Sequence, residues 1–142
     1  MKRNIDDRVG YHIGVAAHFL QNNYNQKLAE FALTVAQAKV LFMLINYGDQ
    51  LQSELQSRLY VKGSTMNGIV DSLLKKDLIE KNDSETDRRT KIIVLTEKGK
   101  ALEETLWLET EHMEKDLMKG FSDNEKNQLL TLLKRIKQNL DE

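Results

Sequence analysis

Two short clusters in the middle of the chain carry side chains suited to holding a polyanion. The first is Ser64-Thr65-Met66-Asn67-Gly68, which follows directly on Gly63. Hydroxyls and the free N–H groups at the start of a helix suit phosphate oxygens. A carboxamide such as Asn67 carries the donor and acceptor side by side that an adenine edge requires. The second cluster is Asp87-Arg88-Arg89. A guanidinium at the tip of a narrow hairpin can enter the minor groove of duplex DNA, where the potential is most negative. A carboxylate beside it can hold an arginine through a bidentate pair. Lys62, Lys75 and Lys91 add charge around both clusters. Taken singly, the first cluster is as readily a solvated helix face, and the second is more often a soluble hairpin turn; their succession along the chain points to duplex DNA.

Other chemistry finds little footing. There is no phosphate-binding glycine loop and no His-Glu-x-x-His pattern, and no Ser/His/Asp set stands in a recognisable context. His12 and His18 are six residues apart and do not share a helix face well, and His112 beside Glu109 and Glu111 reads as a surface residue. The chain has no cysteine, which excludes disulfides, thiolate metal sites and thiol redox switches. No catalytic residue, metal or cofactor is therefore assigned. Glu103, Glu104, Glu109, Glu111 and Glu114 read as a solvated helix face. His12, Phe19 and Phe42 are candidates for lining a small-molecule pocket, as is Trp107, with core packing the favoured reading of each.

These clusters need elements to position them. Apolar residues recur at helical spacing from Ile5 to Phe31. Gly10 and Gly14, four residues apart, leave room for a close neighbour. A second helix starts at Thr34, whose side chain and that of Gln37 form a capping box, and its buried stripe is Val35, Ala38, Leu41, Phe42 and Ile45. A two-turn helix follows around Leu51, Leu55 and Leu59. Gly63 breaks the chain, and Ser64 or a neighbour caps a helix running to about Lys76, with Met66, Ile69, Val70, Leu73 and Leu74 facing inward. Residues 79–82 and 91–95 alternate or are β-branched, so they read as the two strands of a hairpin around a polar tip. Thr96 caps a long helix to about Met118. Gly120 ends it, and Ser122 with Glu125 opens a last helix to about Leu140.

The chain has 142 residues and a net charge of −1, but residues 58–100 carry a net +3 while residues 101–142 carry a net −4. A polyanion partner therefore belongs to the middle and not to the tail. No apolar run is long enough to span a membrane and the N-terminus lacks the pattern of an export signal, so a cytoplasmic location is expected. A short helix, a turn and a second helix followed by a hairpin make a winged helix-turn-helix. Ile5, Val9 and Ile13 at one end, and Leu129, Leu132, Leu133, Ile136 and Leu140 at the other, offer more apolar surface than lone helices can hide. A second copy of the chain is expected to cover them.

Leu73-Leu74-Lys75-Lys76-Asp77-Leu78-Ile79, then Asp87-Arg88-Arg89, then Leu95-Thr96-Glu97-Lys98-Gly99, resembles the MarR (multiple antibiotic resistance regulator) family over nearly the whole chain. The resemblance implies a mainly α fold with a small β-hairpin wing and long terminal dimerisation helices. It implies a dimerising helix over residues 1–33, a DNA-binding lobe over 34–99 and C-terminal dimerisation helices over 100–142. It further implies a homodimeric bacterial transcription regulator, usually a repressor, on a near-palindromic operator. Ser64, Thr65 and Asn67 fall on polar recognition-helix positions, and Arg89 on the minor-groove residue of the wing. Release by a small anionic or phenolic effector, bound between the lobe and the dimer helices, is a further implication. Three positions depart from the family pattern. Gly68 stands where an arginine is common, Asp77 replaces a glycine, and Leu51 takes the place of a capping Thr, leaving that role to Gln52 or Ser53. A helical dimer that binds another protein through a degenerate wing is the competing reading.

Overall fold

The computed structural model describes residues 3–141, so Met1, Lys2 and Glu142, at the ends of the first and last expected segments, lie outside it. The elements run α1 (Val9–Ala29), α2 (Val35–Tyr47), β1 (Gln50–Leu51), α3 (Gln52–Leu59), α4 (Gly63–Lys75), β2 (Ile79–Asp83), β3 (Lys91–Leu95), α5 (Glu97–Leu117) and α6 (Asp123–Leu140). The chain divides into two compact units, Met1–Thr105 and Leu106–Glu142, with α5 contributing to both.

The expected continuous helix from Ile5 is interrupted. Asn4 accepts the Asp6 N–H through its side chain at 3.0 Å and starts a single 3-10 turn over Ile5–Asp7, after which Arg8 is extended. An Asn side chain offers the backbone a local alternative to the helix. At the far end of α1, Ala32 is left-handed and the Leu33 N–H returns to the Leu28 carbonyl at 3.1 Å. Thr34 and Gln37 then form the expected capping box, both bonds at 3.2 Å. The stripe buried on α2 is Val35, Ala38, Val40, Leu41 and Leu44; Phe42 is half-buried and Ile45 exposed, so the inner face is turned from the expected one.

The core of the first unit gathers Leu41, Leu55, Met66, Val70, Leu73, Ile79 and Ile93, all essentially inaccessible. Of the expected inner face of α4 only Leu74 stays half-buried. The sheet has three strands where two were expected. β3 lies in the middle, antiparallel to β2 (Ile79↔Leu95, Asp83↔Lys91) and to the two-residue β1 (Gln50↔Ile93, Leu51↔Ile92). Gln50 is buried and fully engaged: its Nε2 donates to the Tyr47 and Asp49 carbonyls at 3.3 and 3.1 Å, and its Oε1 accepts from Arg58 Nε at 3.1 Å. The Arg58 guanidinium also lies 3.5 Å over the Tyr47 ring, so one polar joint ties the end of α2 to α3.

The turn between α4 and β2 is tight. Asp77 is left-handed (φ 59°), with its N–H on the Leu74 carbonyl and the Leu78 N–H on the Leu73 carbonyl. Thr96 donates its hydroxyl to the Asp77 carbonyl at 2.6 Å, and Lys98 donates to the Lys76 carbonyl at 3.0 Å. Thr96 also caps α5, accepting the Gly99 N–H at 3.0 Å. A side chain in the left-handed region costs about 1–2 kcal/mol in general, less for Asp. Asp77→Gly is therefore expected to raise the unfolding free energy by about 0.5–1 kcal/mol, read as a higher urea midpoint; an unchanged or lower midpoint would mean that the surrounding bonds already offset the strain.

The second unit is simpler. Gly120 (φ 88°) turns the chain, and Ser122 and Glu125 cap α6 reciprocally at 3.1 and 2.9 Å. Lys126 pairs with Glu114 at 3.6 Å. No residue of α6 is buried, and Leu140 is 78% exposed.

Candidate nucleic-acid interface

α4 begins at Gly63 with Lys62 in the capping position, and Lys62 makes no side-chain cap bond. Ser64 lies inside the first turn, and the cap position falls to its near neighbour Lys62. The first N–H groups of α4 thus have no side-chain acceptor at the cap, and Lys62, Ser64 and Thr65 are exposed around them. Asn67, Gly68, Asp71 and Lys75 continue the exposed face opposite buried Met66, Ile69, Val70 and Leu73. A Cβ added at Gly68 would meet nothing within 4 Å, so packing within the chain does not demand glycine there.

α3 is capped neither by Gln52 nor by Ser53. Leu51, held extended by its pairing with Ile92, takes the cap position, and its N–H is accepted by Glu54 Oε1 at 3.1 Å. The Gln52 side chain is thereby free for another contact. Its Nε2 donates to Asn67 Oδ1 at 2.5 Å, joining the start of α3 to the outer face of α4. Sequence reading treats Gln52 only as a cap; no local spacing signals a bond between residues fifteen positions apart.

The wing tip is organised by Asp87, but not as a guanidinium partner. Asp87 Oδ1 accepts the Arg89 backbone N–H at 3.0 Å, its Oδ2 accepts the Thr90 hydroxyl at 3.3 Å, and its carbonyl accepts the Thr90 N–H at 3.0 Å. Such Asp-centred turns satisfy the backbone locally, and here the carboxylate serves the turn instead of an arginine fork. Ser84 closes the base of the loop by donating its N–H to the Thr90 carbonyl at 2.9 Å. Arg88 and Arg89 are exposed, and among the described residues neither guanidinium meets a carboxylate. Lys91 differs from them: it pairs with Asp83 across the strands, which offsets its charge.

Of the three candidate pocket residues, Phe19, with Gly10, Tyr11, Gly14, Val15 and His18, lines an open groove of about 460 Å³ on α1. His12 donates to the Asp6 carbonyl at 2.8 Å outside that lining, and Phe42 sits half-buried on α2. Gly10 and Gly14 have open space beside them, as their spacing suggests. Trp107, read as core, is 52% exposed. Glu103, read as solvated, is buried at 7% exposure with one carboxylate oxygen lacking a hydrogen-bond partner. Desolvation pushes its carboxyl above the usual carboxylate range, and neighbouring Glu104 adds to the rise. Among the described residues no group of three His, Asp or Glu side chains could hold a metal ion, and no helix is long and apolar enough to cross a membrane.

Comparison with known proteins agrees with this arrangement. The MarR family profile matches residues 33–91, from the start of α2 to the wing. The HTH-type transcriptional regulator YwoH of Bacillus subtilis is 27% identical over 116 residues, covering 82% of this chain and 84% of the relative. The structure of a MepR–DNA complex from S. aureus superposes with a TM-score of 0.84 at 26% identity, over 93% of this chain and 98% of that one. A MarR variant from E. coli complexed with operator DNA gives 0.82 at 26% identity, over 90% and 92%. With the winged fold, the Asp87-Arg88-Arg89 tip and the Leu95-Thr96-Glu97-Lys98-Gly99 turn all in place, residues 33–91 match the MarR family, and the chain is similar over most of its length to transcriptional regulators of that kind.

Proposed function

We propose that the protein is a bacterial repressor that binds a near-palindromic operator as a homodimer. The exposed row on α4 enters the major groove, with Ser64 and Thr65 on phosphates and Asn67 on a base edge, and Lys62 and Lys75 adding charge. Arg89, with Arg88 beside it, enters the adjacent minor groove; Asp87 shapes the turn that presents them. The observation that carries this reading is the pair of exposed guanidinium groups on a turn already satisfied by its own carboxylate. Both charges are left for an outside anion.

The dimer is supported by the apolar surface a single chain leaves uncovered. Ile5, Val9 and Ile13 are exposed, Val9 at 65%, as are Leu129, Leu132, Leu133 and Leu140, and Ile136 is half-buried. Covering such faces contributes roughly 25 cal/mol per Å². Two copies joined through the terminal helices would set half-sites about 34 Å apart. A small anionic or phenolic effector that lowers DNA affinity completes the reading, and a cytoplasmic location follows from it.

The test is binding to duplex DNA from around the protein's own gene, followed by fluorescence anisotropy across a salt series. With six or more phosphate contacts, affinity is expected to fall about a thousandfold between 50 and 200 mM salt. Sedimentation of the same complex should give two chains per site. Absence of any salt-sensitive binding would instead favour the protein-interaction reading.

A further inference from the structure

The bond between Gln52 and Asn67 has a consequence for which bases the protein reads. An unconstrained Asn carboxamide turns to offer donor and acceptor together, and so pairs with the N6 and N7 of adenine. Asn67 is held differently: its oxygen already accepts from Gln52 Nε2 at 2.5 Å. That oxygen is turned toward α3, which leaves the Nδ2 group, with two N–H donors and no partner among the described residues, for an outside ligand.

Gln52 is well placed to impose this orientation. It is the first residue of α3, directly after Leu51, which is fixed in the sheet opposite Ile92 and has its N–H accepted by Glu54. Each of the two helices is anchored in the core, α3 through Leu55 and α4 through Met66, both fully buried. Beside Asn67, Gly68 has no side chain to compete for the same base.

We infer that Gln52 is a positioning residue that fixes the Asn67 carboxamide as a donor, so that each half-site is read there at a keto base, guanine or thymine, and not at adenine. The inference rests on the DNA reading proposed above. In the major groove guanine shows two adjacent acceptors, O6 and N7, and thymine shows O4, whereas cytosine presents an amine and adenine sets its amine beside its one acceptor N7; a group that offers only N–H donors gains two bonds at guanine and faces the N6 amine at adenine.

Selection from random duplex DNA tests it, using the full-length protein and its N67A, Q52A and Q52E variants. The wild type is expected to show one position per half-site enriched about tenfold for G or T over A or C, and N67A to flatten that position. Q52A frees the carboxamide and admits adenine there. Q52E is the sharper probe: a carboxylate can only accept, so the Asn67 nitrogen turns inward, its oxygen turns outward, and the preference moves to A or C. A merely structural role for Gln52 would change total affinity without inverting one position. The inference is overturned if the Q52A and Q52E preferences match the wild type. It is equally overturned if the position lost in N67A is an adenine in the wild type, or if N67A flattens nothing. Enrichment of no DNA by the wild type would overturn the operator reading itself, which distinguishes that failure from the others.

Discussion

Gly99→Ala is expected to destabilise the protein by about 3 kcal/mol, at the upper end of what overpacking costs. An added Cβ would sit 2.1 Å from the Leu78 carbonyl oxygen and 3.1 Å from Leu95 Cδ2. The side chain can shift, but the carbonyl cannot do so freely, because it accepts the Thr96 N–H at 3.1 Å and belongs to the turn that starts β2. The N-terminal turn of α5 must therefore lift away from the sheet, taking the Thr96 cap with it. Urea unfolding measures the loss, and a fall of about 10 °C in Tm should accompany it. Gly68→Ala is the internal control, since a Cβ there meets nothing within 4 Å. It should stabilise the helix slightly, by up to about 1 kcal/mol. Equal midpoints for the two variants would contradict the close approach at Leu78.

Arg89→Ala is expected to weaken operator binding by roughly 10- to 100-fold, in the range of one good groove contact. Helix content and dimerisation should be unchanged. The turn that carries Arg89 is built from the Asp87 carboxylate, the Arg89 backbone N–H and Thr90, so deleting the side chain removes the guanidinium without removing the turn. Arg88→Ala should act in the same direction. Lys91→Ala should act much less, because Asp83 already offsets that charge. Anisotropy titration at fixed salt separates the three; an unchanged affinity for Arg89→Ala would remove the wing from the proposed interface.

Much of the architecture is legible in the sequence because it rests on local chemistry. The capping boxes at Thr34 and Ser122 involve side chains three residues apart, and both form. The inner face of α4 is a helical-period signal and is buried almost as expected. Asp77 stands at a left-handed turn, as its replacement of a glycine implies. What could not be read is what depends on distant partners. β1 is two residues long and exists because Ile92 and Ile93 pair with it. Its formation moves the α3 cap to Leu51 and frees Gln52 for Asn67, which no spacing rule would suggest. Glu103 illustrates the same limit, since four neighbouring glutamates suggest a solvated face while tertiary packing buries this one. Asp87 is a different kind of miss: an acid next to two arginines suggests an ion pair, but the backbone N–H two residues on is closer to hand.

The central place of β3 also sets where the chain can change length. β3 is held on both sides, by β2 through five residue pairs and by β1 through two. Because side chains alternate, one residue inserted directly after Lys91, with the Asp83 pairing kept, would turn buried Ile93 and Leu95 outward and displace the pairing with β1 that precedes α3. The tip from Ser84 to Thr90 has no such double attachment. Residues added there would lengthen the reach of the two arginines and leave the helix-turn-helix undisturbed. The tip is thus the place in the wing where reach can be altered without rebuilding the sheet.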